Sequence, residues 1–131
     1  MPKLQSFDHI HIYVKNRQQA VKWYQAVLGF SVVESLAFWA VDKGPLVVAH
    51  EDLHLALFES ELQKRTTVAF GVDAANFLLW QQHLTTHEVT FVVSDHDISW
   101  SLYFSDPDGN PFEITTFDYE NVVNNTSAKK E

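Results

Sequence analysis

The sequence contains no cysteine and few basic residues, and both absences narrow the possible functions. Without cysteine the chain forms no disulfide and uses no thiol as a nucleophile or metal ligand. Lysine and arginine number 9 against 17 aspartate and glutamate residues, which gives a formal net charge of −8. Such a surface lacks the cations that neutralise nucleic-acid phosphates or anionic lipids, so we expect neither nucleic acid nor a membrane as partner. The charge favours a cationic or metal-bound ligand, although acidity also serves ordinary solubility.

Long hydrophobic runs are also absent, and the first residues, MPKLQSFDH, lack the apolar core of a signal peptide. We therefore expect a cytoplasmic protein. Phenylalanine, tryptophan and tyrosine make up 14% of the chain, which is ample material for a hydrophobic core. A length of 131 residues fits one ordinary domain, or two very small modules that share a core.

The stretch SLYFSDPDGNPFEITTF, residues 101–117, is typical of a β-hairpin. Its two alternating runs flank a turn, in which Pro107 fixes φ, Gly109 tolerates positive φ, and Asp106 and Asp108 serve only the turn. Alternation along the second strand places Glu113 on the face opposite its apolar neighbours. A carboxylate in that setting needs a cation such as a metal, Lys, Arg or protonated His, or else a wet cavity.

The first half of the chain has the pattern of a βαβββ module. Residues 7–14 alternate and predict a strand whose one face carries His9, His11 and Tyr13. Asn16 is placed to cap a helix that ends at Gly29. Residues 30–35, 38–42 and 46–60 are β-prone, the last interrupted by a turn at residues 51–52. If the leucines of its final strand meet the helix, His54 faces the same side as His9.

The second half repeats this pattern. A strand at residues 67–72 leads into a helix at residues 73–86, capped by Asp73, and strands are predicted at residues 89–93, 100–105 and 111–117. Aligning the halves places Thr67 where His9 stands and Glu113 where Ala56 stands. The modules are residues 7–60 and 66–117, joined by a charged linker at residues 61–65. The polar tail, residues 121–131, is expected to be loosely ordered.

Four segments of the chain, in their order and spacing, resemble the vicinal oxygen chelate superfamily. They are DHIHIYV, WYQAVLGF, TTVAFGV and LYFSDPDGNPFEITT. That group includes glyoxalase I, extradiol catechol dioxygenases, and fosfomycin and bleomycin resistance proteins. The resemblance implies an α+β fold in which two βαβββ modules form one domain, residues 1–120, with a curved mixed β-sheet and helices on its convex side. It also implies a homodimer of two chains and a site for a small-molecule substrate or drug.

The resemblance further implies metal ligands at His9 and Glu113, with Thr67 and Ala56 at the other two ligand positions of the family. A hydroxyl is a poor ligand for Zn, Fe or Mn beside imidazole. A divalent metal, Fe, Mn, Zn or Ni, therefore needs a shifted third ligand, for which the candidates are His11, His54 and His96. Such an ion would polarise two neighbouring substrate oxygens in a lyase, an extradiol-type dioxygenase or a resistance-type transferase.

Two other interpretations stay open. The protein could bind and sequester a small molecule without metal, as bleomycin resistance proteins do, between aromatic walls supplied by Trp39, Phe58, Trp100 and Tyr103. Alternatively, His9 pairs with Glu113 as a hydrogen-bonded buried couple, and the fold serves protein interaction or has lost its activity.

The remaining polar residues receive roles by position. His96 precedes a strand in a loop and is a candidate general acid or base. Tyr103 is a candidate to orient a substrate oxygen. The full set of predicted site residues is, for catalysis, Glu113, His96 and Tyr103, and, for substrate binding, His11, Trp39, His54, Thr67 and Ser101. His83 and His87 have the helical spacing of a zinc pair, but favourable charge at a helix C-terminus explains them more simply.

Overall fold

The computed structural model describes residues 1, 3, 5–62 and 65–130, without the side chains of residues 126–130. The chain divides into two compact units, Met1–Arg65 and Thr66–Glu131. Residues 63 and 64 of the predicted linker and residue 131 of the predicted tail lie outside the described residues. The helices in the described part of the chain are too short or too polar to cross a bilayer.

The first unit is a four-stranded mixed sheet with one main helix. Its elements are β1 (Ile10–Val14), α1 (Arg17–Trp23) continued by a π-helical turn (Tyr24–Leu28), β2 (Ser31–Val32), a 3-10 segment (Glu34–Trp39), β3 (Leu46–His50) and β4 (Leu53–Glu59). The strands lie in the order β1-β4-β3-β2. β1 runs parallel to β4, and the other neighbours are antiparallel.

The second unit repeats this arrangement and adds a helix. Its elements are β5 (Val68–Gly71), α2 (Ala74–Thr86), β6 (Val92–Asp95), β7 (Trp100–Ser105), β8 (Pro111–Thr116) and α3 (Tyr119–Lys130). The strand order is β5-β8-β7-β6, with β5 parallel to β8 and the rest antiparallel. The predicted fold class, two βαβββ modules, is confirmed.

Both predicted N-caps are present. The Asn16 side chain accepts a hydrogen bond from the Gln19 amide over 2.8 Å, and Asp73 accepts one from the Asn76 amide over 2.9 Å. These bonds satisfy backbone N–H groups that have no partner inside the helix. The bonds from Asn76 also lower the pKa of the Asp73 carboxyl from its usual value, because they stabilise the carboxylate. Gly29 ends the first helix in the left-handed conformation, with φ 74°.

Each unit buries its own hydrophobic core. In the first, strand alternation buries Ile12 and Val14 of β1 and Leu55 and Leu57 of β4. The first helix and its continuation bury Ala20, Val21, Tyr24, Val27 and Leu28. In the second unit the buried apolar residues are Val68, Ala74, Phe77, Leu84, Leu102, Phe104, Phe112, Ile114 and Val122. The opposite face of the first sheet carries the histidines, and the opposite face of the second sheet carries Glu113.

The strand predicted at residues 38–42 is wrong, because the chain forms the 3-10 segment Glu34–Trp39 instead. β2 already pairs with the edge of β3, so this segment does not add to β3 as a strand. Its backbone closes local bonds, from the Leu36 amide to the Val33 carbonyl and from the Ala40 amide to the Ala37 carbonyl.

The second strand of the second unit begins later than predicted, at Val92 rather than residue 89. Glu88 takes a positive φ of 59°, and the Val89 amide bonds back to the Leu84 carbonyl, so these residues still belong to the end of α2. Residues 121–130 of the predicted tail are part of α3. Loose ordering of the tail stays a prediction.

Candidate functional site

A cavity of about 300 Å³ opens on the first unit. That volume lies at the lower end of the range for small-molecule sites. Three of the predicted site residues, His9, Trp39 and His54, line it together. The other lining residues are Asp8, Leu36, Pro45, Val47 and Ala56.

Strand alternation explains why the imidazoles reach this cavity. On β4, Leu55 and Leu57 are buried in the core, so His54 and Ala56 point to the opposite face. The register pairs His11 of β1 with Ala56 of β4, which places the histidine face of β1 beside them. The prediction that His54 faces the same side as His9 is confirmed by their place in one cavity.

His9 is held between a carboxylate and a second imidazole. Its Nδ1 lies 2.8 Å from Asp8 Oδ2, and its Nε2 lies 3.1 Å from the Nε2 of His11. Because a carboxylate only accepts, His9 donates its Nδ1 hydrogen to Asp8, and the Nε2 of the neutral ring carries a lone pair. His11 in turn packs against Phe58, with ring centroids 4.7 Å apart. The two histidines therefore share one hydrogen between facing nitrogens.

His54 lines the same cavity and is also hydrogen-bonded through one ring nitrogen. Its Nδ1 lies 3.1 Å from the Asp52 carbonyl oxygen, which only accepts, so the hydrogen is on Nδ1. The Nε2 of the neutral ring is then an acceptor. The acceptors that the cavity wall offers to a further donor are therefore the Asp8 carboxylate and His54 Nε2.

The apolar wall is supplied by the 3-10 segment and the start of β3. Trp39 is 47% exposed and packs edge-on against Phe38. Pro45 and Val47 line the same cavity, and no short-range pattern predicts that they do so together with Leu36. The sequence reasoning missed Asp8, Leu36, Pro45 and Val47. For Asp8 a signal was present, since an acid directly before a candidate ligand histidine is placed to orient its ring.

The second unit carries a separate polar cluster on its sheet. Glu113 of β8 is half-buried and accepts a hydrogen bond from the Ser101 hydroxyl over 2.9 Å. Ser101 also lies 3.2 Å from Thr115 Oγ1. Tyr103 stands directly opposite Glu113 in the register, and its hydroxyl lies 3.0 Å from His96 Nε2. Predicted residues Glu113, His96, Tyr103 and Ser101 thus share one face, and Thr115 was missed although its i+2 spacing from Glu113 predicts this position.

The remaining candidates lie outside both groups. Thr67 is exposed and precedes β5. Trp100 stacks on Tyr119, with centroids 5.5 Å apart and planes at 19°. His83 and His87 lie together near the end of α2, with centroids 4.5 Å apart. Asp106 serves the turn as predicted, because it accepts bonds from the backbone amides of Asp108 and Asn110.

The residues present do not fit the metal site that the resemblance implies. The family's second ligand position holds the Thr67 hydroxyl, a weak donor for a transition metal. Among residues 1, 3, 5–62 and 65–130, no three His, Asp or Glu side chains are grouped to hold an ion. His9 and Glu113 are chemically suitable donors, but two ligands do not complete the three-ligand set.

Comparison with known proteins identifies the family. The Glyoxalase/Bleomycin resistance protein/Dioxygenase superfamily matches residues 6–114. The chain belongs to this superfamily. Metallothiol transferase FosB of Staphylococcus saprophyticus is 24% identical over 119 residues, which cover 86% of this chain and 78% of that protein.

Solved structures show the same fold. An integron cassette protein from the Halifax Harbour sewage outfall metagenome, HFX_CASS4, has a TM-score of 0.75 at 19% identity, covering 86% of this chain and 99% of that one. A mutant of the fosfomycin resistance protein FosX from Listeria monocytogenes, complexed with Mn(II) and 1S,2S-dihydroxypropylphosphonic acid, has a TM-score of 0.68 at 18% identity. It covers 86% of this chain and 90% of the FosX chain. At these identities the likeness shows the fold alone.

Proposed function

We propose that this superfamily member binds a small molecule in the cavity of its first unit. The observation that carries the proposal is the composition of the cavity wall, in which an indole and aliphatic side chains surround a few polar groups. Small-molecule sites have this character, with apolar walls for affinity and few polar atoms for orientation. A site of about 300 Å³ suits a ligand of one or two rings.

The polar atoms of the wall favour a ligand that donates hydrogen bonds. Asp8 offers a carboxylate and His54 offers a lone pair when neutral, whereas the lone pair of His9 already accepts the His11 hydrogen. The half-exposed indole of Trp39 offers a π face to a cation. The net charge of −8 attracts cations to the protein as a whole. The ligand class with these features is an aromatic or alkyl amine, or another organic cation with N–H donors.

Tryptophan fluorescence and calorimetry test the proposal with matched ligands. Small aromatic amines should bind, and the same rings bearing a carboxylate in place of the amine should not. Ala56→Leu places a larger side chain in the cavity lining and should abolish binding. Ala75→Leu, at an exposed position of α2, should leave binding unchanged. Loss of the fluorescence change in Trp39→Phe would show that Trp39 is its source. Equal binding to the Ala56→Leu protein, or no response to any amine, would contradict the proposal.

The second candidate function is metal-assisted chemistry on two neighbouring oxygens of a substrate, as a lyase, dioxygenase or resistance-type transferase. It is favoured by the similarity to a protein named metallothiol transferase and by the Mn(II)-bound FosX structure. Within the second unit, Glu113 held by Ser101 and the His96–Tyr103 pair offer the acid and base groups that such chemistry needs. Turnover that disappears with chelator and with Glu113→Gln would support this candidate over binding alone.

Several further features stay predictions. We expect two chains to form a symmetric dimer, which size measurement in solution tests, and we expect a cytoplasmic location. We also expect residues 1–120 to behave as one domain, with a single unfolding transition.

A further inference from the structure

We infer that Arg17 positions the apolar wall of the cavity, because its guanidinium holds the loop of residues 40–45 in place. This loop joins the 3-10 segment, which ends at Trp39, to β3. Trp39, directly before the loop, and Pro45, its last residue, both line the cavity. The effect on ligand affinity rests on the proposed function, whereas the effect on the position of the loop does not.

The Arg17 side chain is largely buried, with 13% of it exposed, and it contacts both the loop and the sheet. Its guanidinium donates a hydrogen bond to the Gly44 carbonyl oxygen. Its Nε also lies 3.7 Å from Oε2 of Glu59. A buried guanidinium stays charged and needs such acceptors, and its planar shape holds them in fixed directions. Since Arg17 begins α1 and Glu59 ends β4, the loop is tied to two regular elements.

Gly44 transmits this restraint to Trp39 through a direct backbone contact. A Cβ on Gly44 would overlap the Trp39 carbonyl oxygen, so the two backbones meet without a side chain between them. The Gly44 amide also donates to the Val41 carbonyl over 2.9 Å, which closes a turn inside the loop. The residue that Arg17 holds is therefore packed against the backbone of the residue whose indole lines the cavity.

Burial of apolar surface adds little to the order of the loop. Val41 is 63% exposed, and Asp42 and Lys43 are also exposed. Asp42 takes a positive φ of 53°, a conformation that costs free energy in a residue with a Cβ. A segment with so few buried contacts opens easily unless specific bonds hold it. We therefore expect the loop and Trp39 to take several positions when Arg17 is removed, while the sheet stays folded.

A wall that is already in place does not have to be ordered when a ligand binds. Without Arg17, binding must first order Trp39 and its loop, and this ordering weakens the affinity. From the usual cost of fixing one large side chain, the loss for an aromatic amine should be about 3- to 10-fold. The polar groups of the cavity are unchanged, so the class of ligand should stay the same.

The experiment is fluorine NMR of the full chain labelled with a fluorinated tryptophan, recorded first without any ligand. The variants Trp39→Phe and Trp80→Phe assign two of the tryptophan signals. In Arg17→Met the Trp39 signal should broaden or move toward its position in the unfolded chain. The Trp80 signal, from α2 of the second unit, should stay unchanged. Arg17→Lys keeps one donor group and should have a smaller effect than Arg17→Met.

Two further variants separate positioning from loss of charge and from loss of stability. Lys22→Met removes a positive charge from an exposed position of the same helix and should leave the Trp39 signal unchanged. Gly44→Ala keeps Arg17 but forces the backbone contact with Trp39 apart, so it should disturb the same signal. Thermal unfolding of each variant checks that the spectra come from folded protein. If Arg17 only stabilised the fold, its loss would lower the unfolding midpoint and leave the Trp39 signal in place.

Calorimetry with benzylamine then measures the effect on the site. Arg17→Met should weaken binding about 3- to 10-fold, and Lys22→Met should leave the affinity as in the wild type. An unchanged Trp39 signal in folded Arg17→Met, or an equally large change in the Trp80 signal, would overturn the inference. So would a displaced Trp39 signal with unchanged benzylamine affinity. If no amine binds the wild type, the proposed function fails, while the spectra without ligand still decide whether Arg17 holds the loop.

Discussion

Ser101 on β7 donates its hydroxyl hydrogen to Glu113 on β8 over 2.9 Å. Ser101 is 1% exposed, whereas Glu113 is half-buried. A bond from a buried hydroxyl to a carboxylate fixes the carboxylate rotamer and orients its second oxygen. In this way the second unit holds a half-buried carboxylate by a hydroxyl group, without a Lys or Arg ion pair in the described part of the chain.

Ser101→Ala should lower the free energy of unfolding by about 1–2 kcal/mol, because Glu113 loses its donor while staying half-buried. A double-mutant cycle with Glu113→Ala measures the coupling by urea unfolding. We expect a coupling energy of about 1 kcal/mol between the two positions. Strictly additive effects would mean that the hydroxyl does not hold the carboxylate. Thr115→Val serves as the control for the neighbouring hydroxyl.

Gly29→Ala should destabilise the protein by about 1–2 kcal/mol, because a residue with a Cβ is strained at a φ of 74°. The new Cβ would also lie 3.3 Å from His50 Nδ1, which is bonded to the Leu28 carbonyl. The matched control is Gly71→Ala in β5. That position has open space around a Cβ, so its substitution should be neutral or slightly stabilising. Equal unfolding midpoints for the two variants would contradict the argument.

Phe77→Ala should cost about 3–5 kcal/mol, since the ring is fully buried in the second unit's core and leaves a cavity. Leu79→Ala is the control two residues away on the same helix. Leu79 is 58% exposed, so its loss should cost well under about 1 kcal/mol. Urea unfolding of both variants gives the comparison.

Because of Asp73, the free energy of unfolding should decrease as the pH falls in the acidic range. The pKa of Asp73 is lowered in the folded protein, so its contribution is fully present above the usual value of 3.8 and is lost as the pH falls through the lower folded pKa. Asp73→Asn keeps a capping oxygen but does not titrate. The unfolding midpoint of the wild type, relative to that of Asp73→Asn, should therefore decrease as the pH falls below the usual pKa value. A pH-independent difference would show that the cap does not act through its charge.

Patterns within short stretches of the sequence predicted many side-chain directions and both helix caps. Strand alternation was sufficient to place His54 on the same side as His9 and Glu113 on the face opposite its apolar neighbours, because side-chain direction follows the strand period. The caps Asn16 and Asp73 followed from side chains that accept backbone hydrogens. Trp39 was also predicted as a wall residue, although on a strand that does not form.

What could not be predicted depends on pairing between distant segments. Nothing near residues 38–42 shows that β2 already occupies the edge of β3, so the β-prone side chains of this stretch favoured a strand. That Leu36 lines one cavity with Pro45 and Val47 also depends on which distant segments come together. Likewise, the 3.1 Å approach of His9 and His11 depends on ring rotations that an alternating pattern leaves undetermined.

The 3-10 segment has a consequence for how binding preference changes over evolution. The lining residues Val47, His54 and Ala56 lie on β3 and β4, where inserting a residue would reverse the direction of every following side chain. The lining residues Leu36 and Trp39 lie on a connection that accepts altered length without disturbing the ladder. New ligand preferences in relatives of this chain should therefore arise through insertions and deletions between β2 and β3, while the histidine side stays constant.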